Sequence, residues 1–332
     1  MFLLLVVGIL AGSLIYSLTS LNLIVGEEDV ELKISRGDTW SKVGEEIRQQ
    51  SAIRYPVLIL WAAKILRYED SIRSGRYLLK SGNTAFDIIK KLRSGRQDPI
   101  RLVLNNITFA EDLTSKVAKE TDIDAYEFLS YLQQEGNAER YGFTTENFIS
   151  MFLCNTYEIY WDIGLQAFVD RMYQEYKRFW DVDRLAKAER IGLDPDEVII
   201  LASIVQRETN HRPEYGKVAS VYLNRLKRGM PLQADPTVKF ALKDFAIKRI
   251  LKKDLEVDSP YNTYKYKNLP PGPIGLPELD VIDGVLNAED TSFLYFCAIY
   301  GQGKHAFSSS YSEHLRNARA YHSALNQQKI FR

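Results

Sequence analysis

Hydrophobic positions along the chain fall into three regimes. From Phe2 to Val25, apolar and small residues fill 24 positions without a charge, and the first charged residue is Glu27. A helix of ~20 apolar residues crosses a hydrocarbon core, so residues 1–26 are expected to form a transmembrane helix. The stretch ends in Asn22-Leu23-Ile24-Val25, without the small-residue cleavage site of a signal peptide, which favours a retained anchor. No Lys or Arg precedes it, whereas Lys33 and Arg36 follow, so flanking charge alone does not orient it.

The second regime, residues 27–98, carries a half-repeat. "RGDTWSKVGEEIRQQ" from Arg36 and "KSGNTAFDIIKKLRSG" from Lys80 each place Gly, then Asp or Asn, then Thr before an amphipathic helical run. Thr39 and Thr84, or the residues before them, suit helix N-caps. Between the halves lie a helical stretch, Tyr55 to Leu66, and a short strand in "SGRYLLKSG". "SGRQDP" (Ser94–Pro99) has the composition of a linker. From residue 99 to 332 the pattern is that of a larger α+β domain. Helical periodicity covers 111–120, 125–135, 164–180, 197–208 and 214–228; strand-like runs cover 100–104 and 293–299; polar loops follow at 231–238 and 259–275.

One helix in this third regime has an anomalous end. "LDPDEVIILASIVQRET" starts with Asp194 as cap, Pro195 at the first helical position and Glu197 three residues after the cap, an Asp-x-x-Glu capping box. At 100° per residue, with Leu201 centring the buried face, Glu208 lies only ~20° from that centre, while Gln206 and Arg207 lie ~140° and ~120° away. Glu208 therefore points inward. A carboxyl on an apolar face loses solvation as an anion, so its pKa rises, and a proton held near neutral pH is what a general acid needs. A structural ion pair would place a Glu there equally well. The polar residues Thr209, Asn210 and His211, and the polar "LQADPTV" after the next helix, suit the wall of a cleft better than a closed core.

Composition narrows the functional classes. Lys+Arg and Asp+Glu are 43 each, a balance that disfavours a dedicated nucleic-acid binder. The 20 Tyr and 15 Phe can serve a core or sugar-stacking surfaces. Cys154 and Cys297 are the only cysteines, too few for a disulfide framework or a zinc site, and are expected as buried thiols. His305 is expected to be structural. His314 and His322 lie eight apart on a stretch expected to be a surface helix, which predicts no metal, and no cofactor is expected.

Long motifs carry a family resemblance. "LASIVQRET", "KVASVYLNRLKRGMPLQADPTVKFAL", "SPYNTYKYKNLPPGPIGLP" and "LYFCAIYGQGKHAFSSSYSEHLRN" closely resemble the YceG-like endolytic murein transglycosylases, and the likeness extends over most of the chain. In that family the helix reads Glu-x-Glu-Thr with the second Glu catalytic; that position is Glu208, while the first is Gln206 here. Leu153-Cys154-Asn155-Thr156-Tyr157 stands where the family usually has Pro-Asp-Thr-Tyr. The "GDT" opening at Gly37–Thr39 also resembles LysM modules, which bind N-acetylglucosamine polymers; a purely structural subdomain is the other reading.

The resemblance implies a membrane anchor (1–26), a LysM-like subdomain (27–98) and a catalytic domain (99–332). It implies cleavage, without water, of the β-1,4 bond between N-acetylmuramic acid and N-acetylglucosamine in nascent peptidoglycan, leaving 1,6-anhydro ends and terminating strand elongation. The implied partners are glycan strands, the cell membrane and peptidoglycan synthases, with everything from about Glu27 on the outer side of the inner membrane. Because the sugar's own C6 hydroxyl attacks, one carboxyl can act as acid and then base, where ordinary glycosidases need two. Gln233, Asp235, Tyr261, Asn262 and Thr263 are the candidates for holding sugar hydroxyls and acetamido groups. Asp235, before Pro236, also reads as a turn former. Two rivals are a non-catalytic peptidoglycan-binding scaffold and a conventional hydrolase using Glu208 with Asp235.

Overall fold

The computed structural model describes residues 2–25, 27–247 and 249–327, the side chains of 2–4 and 325–327 excepted. The elements in chain order are α1 (Phe2–Ser20), β1 (Val30–Ile34), α2 (Trp40–Gln49), α3 (Pro56–Ile65), β2 (Gly75–Leu79), α4 (Ala85–Ser94), β3 (Ile100–Val103), α5 (Ala110–Glu120), α6 (Ala125–Leu132), α7 (Glu135–Glu139), β4 (Thr156–Ile159), α8 (Leu165–Phe179), α9 (Val182–Ile191), α10 (Pro195–Glu208), α11 (Tyr215–Lys227), α12 (Asp235–Ala241), α13 (Leu279–Leu286), β5 (Tyr295–Ile299), β6 (Lys304–Ser308) and α14 (Tyr311–Gln327). Helices joined to small two-stranded sheets make this an α+β fold. Two compact units result. The smaller comprises Met1–Leu102, Val117–Ile123 and Tyr157–Leu165; the larger comprises Val103–Lys116, Asp124–Thr156 and Gln166–Arg332.

In the smaller unit β1 and β2 pair antiparallel, with Val30 opposite Leu79 and Leu32 opposite Tyr77. Strict alternation turns Val30, Leu32 and Ile34 inward, as the two-residue period of a strand requires, against buried Val43, Ile47, Ile59, Ile88 and Leu92. The two half-repeats cap their helices differently. Thr84 accepts from the Asp87 N–H while the Asp87 carboxylate accepts from the Thr84 N–H, a full capping box. Thr39 makes no such bond; Asp38 before it accepts from the Ser35 N–H. The linker-like stretch Ser94–Pro99 is tied down, because Asp98 accepts from the Leu78 N–H and pairs with Lys91 at 2.6 Å.

Among the described residues no helix is long and apolar enough to cross a membrane. Leu18, at the end of α1, and Leu23 and Ile24 beyond it are buried in the smaller unit's core. Leu5, Val7, Ile9, Leu10, Ile15 and Tyr16 of the same helix are exposed.

The larger unit is built around α10. Every residue from Val198 to Val205 is buried, packed by α9, α11, α12 and α13. A helix covered on all sides reads as apolar all round, so its few polar side chains must find protein partners. Ser203 donates to the Ile200 carbonyl and accepts from the Ile274 N–H; Gln206 accepts from the Glu278 N–H at 2.6 Å. These bonds lash the proline-rich loop to α10. Gly272 in that loop is required by close approach, since a Cβ there would meet the Glu146 carbonyl oxygen at 2.0 Å. Cys154 is buried, but Cys297 is only partly so; both are free thiols.

Candidate active site

Glu208 is the last residue of α10, where the chain turns to extended geometry at Thr209. The start of α10 follows the sequence pattern, with the Asp194 N–H donating to the Glu197 carboxylate at 2.9 Å. That start fixes the helical phase, and the phase delivers Glu208 to a cleft of about 290 Å³. Gln206 is turned to the proline-rich loop, and Arg207 donates to Thr108 and lies over the Phe245 ring.

The residue is partly exposed through the cleft mouth, yet its carboxyl is enclosed. Burial pushes the Glu208 pKa up to about 7 by removing water from the anion. The Tyr222 hydroxyl, donating to Oε1 at 2.9 Å, works against that rise; the charge of Asp235 reinforces it, and Lys239 opposes it weakly. Tyr222 itself is fully enclosed and its own pKa is driven well above 10, first by burial and then by Glu208, so it stays a neutral donor. With Oε1 occupied, Oε2 is the oxygen left for a substrate.

One turn beyond Tyr222 on α11, Arg225 is buried without a carboxylate partner among its bonds. Its guanidinium donates to the carbonyls of Leu294 and Leu232 at 2.8 Å each and to Gln233 Oε1 at 3.3 Å. It thereby holds Gln233 in the left-handed region, φ 53°, a conformation that costs a non-glycine residue energy. The Gln233 N–H also donates to the Thr263 carbonyl. The next turn of chain starts α12, with Asp235 as its first residue and Pro236 following. The Asp-Pro pair therefore opens a helix and makes no turn. Tyr264 donates to Asp235 Oδ1 at 2.5 Å. Tyr295, Phe296 and His314 close the wall: Phe296 meets Tyr222 edge-on, the Tyr295 ring lies 5.3 Å from the Arg225 guanidinium carbon, and His314 stacks on Tyr295 at 5.2 Å. Burial lowers the His314 pKa, and its Nδ1 is enclosed without a partner.

Of the expected site residues, Glu208, Gln233 and Asp235 share this cleft. The other three do not line it. Tyr261 packs its ring on Phe240, centroids 4.7 Å apart. Asn262 is fully buried, donating to the Leu255 and Val257 carbonyls and accepting from the Tyr264 N–H. Thr263 is buried, accepting from the Ala234 N–H and paired with the Thr237 hydroxyl. The side-chain polar groups of Asn262 and Thr263, read as sugar contacts, are consumed in building the loop that presents Gln233 and Asp235. His305 is structural as expected: its N–H and Nδ1 both reach the Glu214 carboxylate at 2.8 Å. Burial pushes the Glu214 pKa up, but the His305 bonds outweigh it and the net shift is downward. Sequence reasoning missed Tyr222, Arg225, Tyr295, Phe296 and His314. The only available signal was that Tyr222 and Arg225, three apart, share a face of a helix. Among the described residues no group of His, Cys, Asp and Glu is placed to hold a metal ion.

Comparison with known proteins bears on this arrangement. The model of the YceG-like family matches residues 32–320. The chain is 26% identical over 340 residues to an endolytic murein transglycosylase of Bacillus subtilis (strain 168), covering 96% of this chain and 92% of that protein. It is 25% identical over 333 residues to a protein of the same name from Streptococcus pneumoniae (strain ATCC BAA-255 / R6), covering 90% of this chain and 59% of that one. A 2.6 Å crystal structure of a YceG-like protein from Listeria monocytogenes shares the fold, with a TM-score of 0.59 at 24% identity over 88% of this chain and 99% of that one.

Proposed function

The chain belongs to the YceG-like family, and from that premise we propose that it is an endolytic murein transglycosylase. It cleaves the β-1,4 bond between N-acetylmuramic acid and N-acetylglucosamine within peptidoglycan strands and leaves a 1,6-anhydro end. The observation that carries this reading is the enclosed carboxyl that faces the cleft, Glu208, donated to by Tyr222 and raised to a pKa of about 7, which lets it hold a proton at neutral pH and release it on demand.

In the first half of the reaction Glu208 Oε2 gives its proton to the glycosidic oxygen as the bond to C1 breaks. The resulting carboxylate is stabilised by the Tyr222 hydroxyl already donating to Oε1. In the second half the C6 hydroxyl of the same sugar attacks C1 and Glu208 takes its proton, which restores the starting state. No water is consumed. Asp235, engaged by Tyr264, raises the Glu208 pKa by its charge and shapes the cleft with Gln233. Tyr264 and Tyr295 line the same cleft and add aromatic surface to it.

The proposal includes anchoring in the inner membrane by the N-terminal apolar segment, with the rest of the chain on the outer side. Its support is the uncharged run from Phe2 to Val25 and the apolar side chains that α1 exposes. It also includes recruitment of long glycan by the smaller unit, on the strength of the LysM-like opening at Gly37–Thr39, and association with peptidoglycan synthases, on family resemblance.

The test is mass spectrometry of purified glycan strands after digestion. Transglycosylation yields ends lighter by one water than hydrolysis does. Reducing N-acetylmuramic acid ends would reject the mechanism in favour of a hydrolase pairing Glu208 with Asp235, and no cleavage at all would favour the scaffold.

A further inference from the structure

Helix α3 of the smaller unit carries an apolar face that is left exposed among the described residues. Tyr55, Val57, Trp61 and Ile65 are 62%, 52%, 52% and 52% exposed. The last three recur every four residues and form one stripe, while Ile59, Ala62 and Ala63 face the core. Monomeric proteins seldom leave such a continuous patch in water without a use for it. The charged residues bordering the stripe on the helix and at its ends, Arg54, Lys64 and Arg67, are exposed and basic.

What covers this face is indicated by where it starts. The backbone just after α1 is hydrogen-bonded to the backbone just before α3: Arg54 N–H donates to the Leu23 carbonyl at 2.8 Å, and Val25 N–H donates to the Ala52 carbonyl at 2.9 Å. Ile24 and Ile53 form an antiparallel bridge, and α1 packs on both α3 and α4. The stripe therefore begins beside the point where the apolar segment ends. If that segment is embedded in a bilayer, α3 emerges at its surface.

We propose that α3 is an interfacial helix. Val57, Trp61 and Ile65 bed into the boundary between acyl chains and headgroups of the membrane that holds α1, and Arg54, Lys64 and Arg67 meet anionic headgroups. Tryptophan favours that boundary, a helix with an apolar stripe and basic flanks lies along it, and anionic lipid attracts juxtamembrane basic residues. The smaller unit is then held against the bilayer at two places, α1 and α3. This inference rests on the anchored reading above and is independent of the chemistry at Glu208.

The full chain is incorporated into vesicles of phosphatidylethanolamine and phosphatidylglycerol whose acyl chains carry bromine near the headgroup, and tryptophan emission is compared with unbrominated vesicles. Trp161 and Trp180 are buried and Trp40 packs edge-on against Tyr68, so Trp61 is the reporter. Bromolipid should quench the emission, Trp61→Phe should abolish that quench, and Val57→Asp with Ile65→Asp should abolish it while the protein still floats with the vesicles. A floating protein whose quench is unchanged by Trp61→Phe, or that shows none, overturns the interfacial helix and leaves the anchor standing. A protein that does not float overturns both. Trp61 emission that responds to soluble N-acetylglucosamine oligomers and not to bromolipid identifies the stripe as a sugar platform and also overturns it. None of these outcomes alters the products expected from glycan strands, which test the catalytic reading separately.

Discussion

Replacing Glu208 with glutamine should remove activity and add stability, and the stability gain should depend on pH in a defined direction. In the unfolded chain this carboxyl titrates near its ordinary 4.5, and in the folded protein near 7, because burial disfavours the anion. Below pH 4.5 both states hold the proton and the residue costs nothing. Between 4.5 and 7 the unfolded chain ionises while the folded one resists, so the wild type loses stability as pH rises, and the loss is complete above 7. At about 1.36 kcal/mol per pH unit this amounts to ~3 kcal/mol, an upper bound because solvent reaches the cleft mouth. Glutamine cannot ionise, and its Oε1 can still accept from Tyr222, so the variant should lack this dependence. Urea unfolding of both proteins at pH 4 and pH 8 measures it. The advantage of Glu208→Gln should grow by up to ~3 kcal/mol between the two, a midpoint difference of roughly 1 M. Cleavage of glycan strands should fall by ~10²–10⁴-fold, the usual contribution of general acid–base catalysis. A stability difference that does not change with pH would refute the enclosed, proton-holding carboxyl, and near-normal cleavage by the variant would refute the residue assignment.

Tyr222→Phe removes the bond that favours the Glu208 anion, so the pH at which activity is lost on the alkaline side should move up by ~1 unit, given ~1.5–3 kcal/mol for a bond to a charged group and partial retention of that bond when the carboxyl is neutral. Asp235→Asn keeps an acceptor for Tyr264 but deletes the charge that raises the Glu208 pKa, so the same limb should move down; pH–rate profiles of the two variants shifting in the same direction would contradict the electrostatics of the cleft. Gly272→Ala forces a Cβ to 2.0 Å from the Glu146 carbonyl oxygen and should destabilise the larger unit by ~1–3 kcal/mol through backbone displacement, seen as a lower urea midpoint. Thr263→Val leaves the Ala234 N–H without its acceptor and should cost ~1–3 kcal/mol, with an activity loss that follows unfolding and leaves the pH profile in place.

Local order in the chain carried a large part of this protein. The capping box at Asp194 and Glu197 and the 3.6-residue period place Glu208 inward and Gln206 away from it without any tertiary contact, because both follow from the geometry of one continuous helix. The same is true of α2, α4, α8 and the strand β2, whose patterns are long or regular enough to read. α9, α12, α13 and the strands β1 and β6 escaped. α12 has seven residues, too few to show a period, so Asp235-Pro236 read as a turn although it opens a helix. β1 and β6 escaped although they are no shorter than β2: β2 is marked by the turn residues Ser74-Gly75 and Ser81-Gly82 on either side, and without such brackets a five-residue strand is fixed by its partner as much as by its own side chains. The binding candidates divided for a different reason. Asn262 and Thr263 sit in a polar, proline-rich loop, and a polar loop residue facing solvent has the same sequence appearance as one buried on a backbone partner. Thr263 takes its bonds from Ala234 and Thr237, far off along the chain. Tyr222, Arg225, Tyr295 and His314 come from three elements, α11, β5 and α14, and meet Glu208 only when α10 and α11 pack and the β5–β6 hairpin closes over them. The identity of the acid is a property of one helix and was therefore written locally. Its pKa depends on what excludes water from it and what donates to it, and those groups are brought together only by packing.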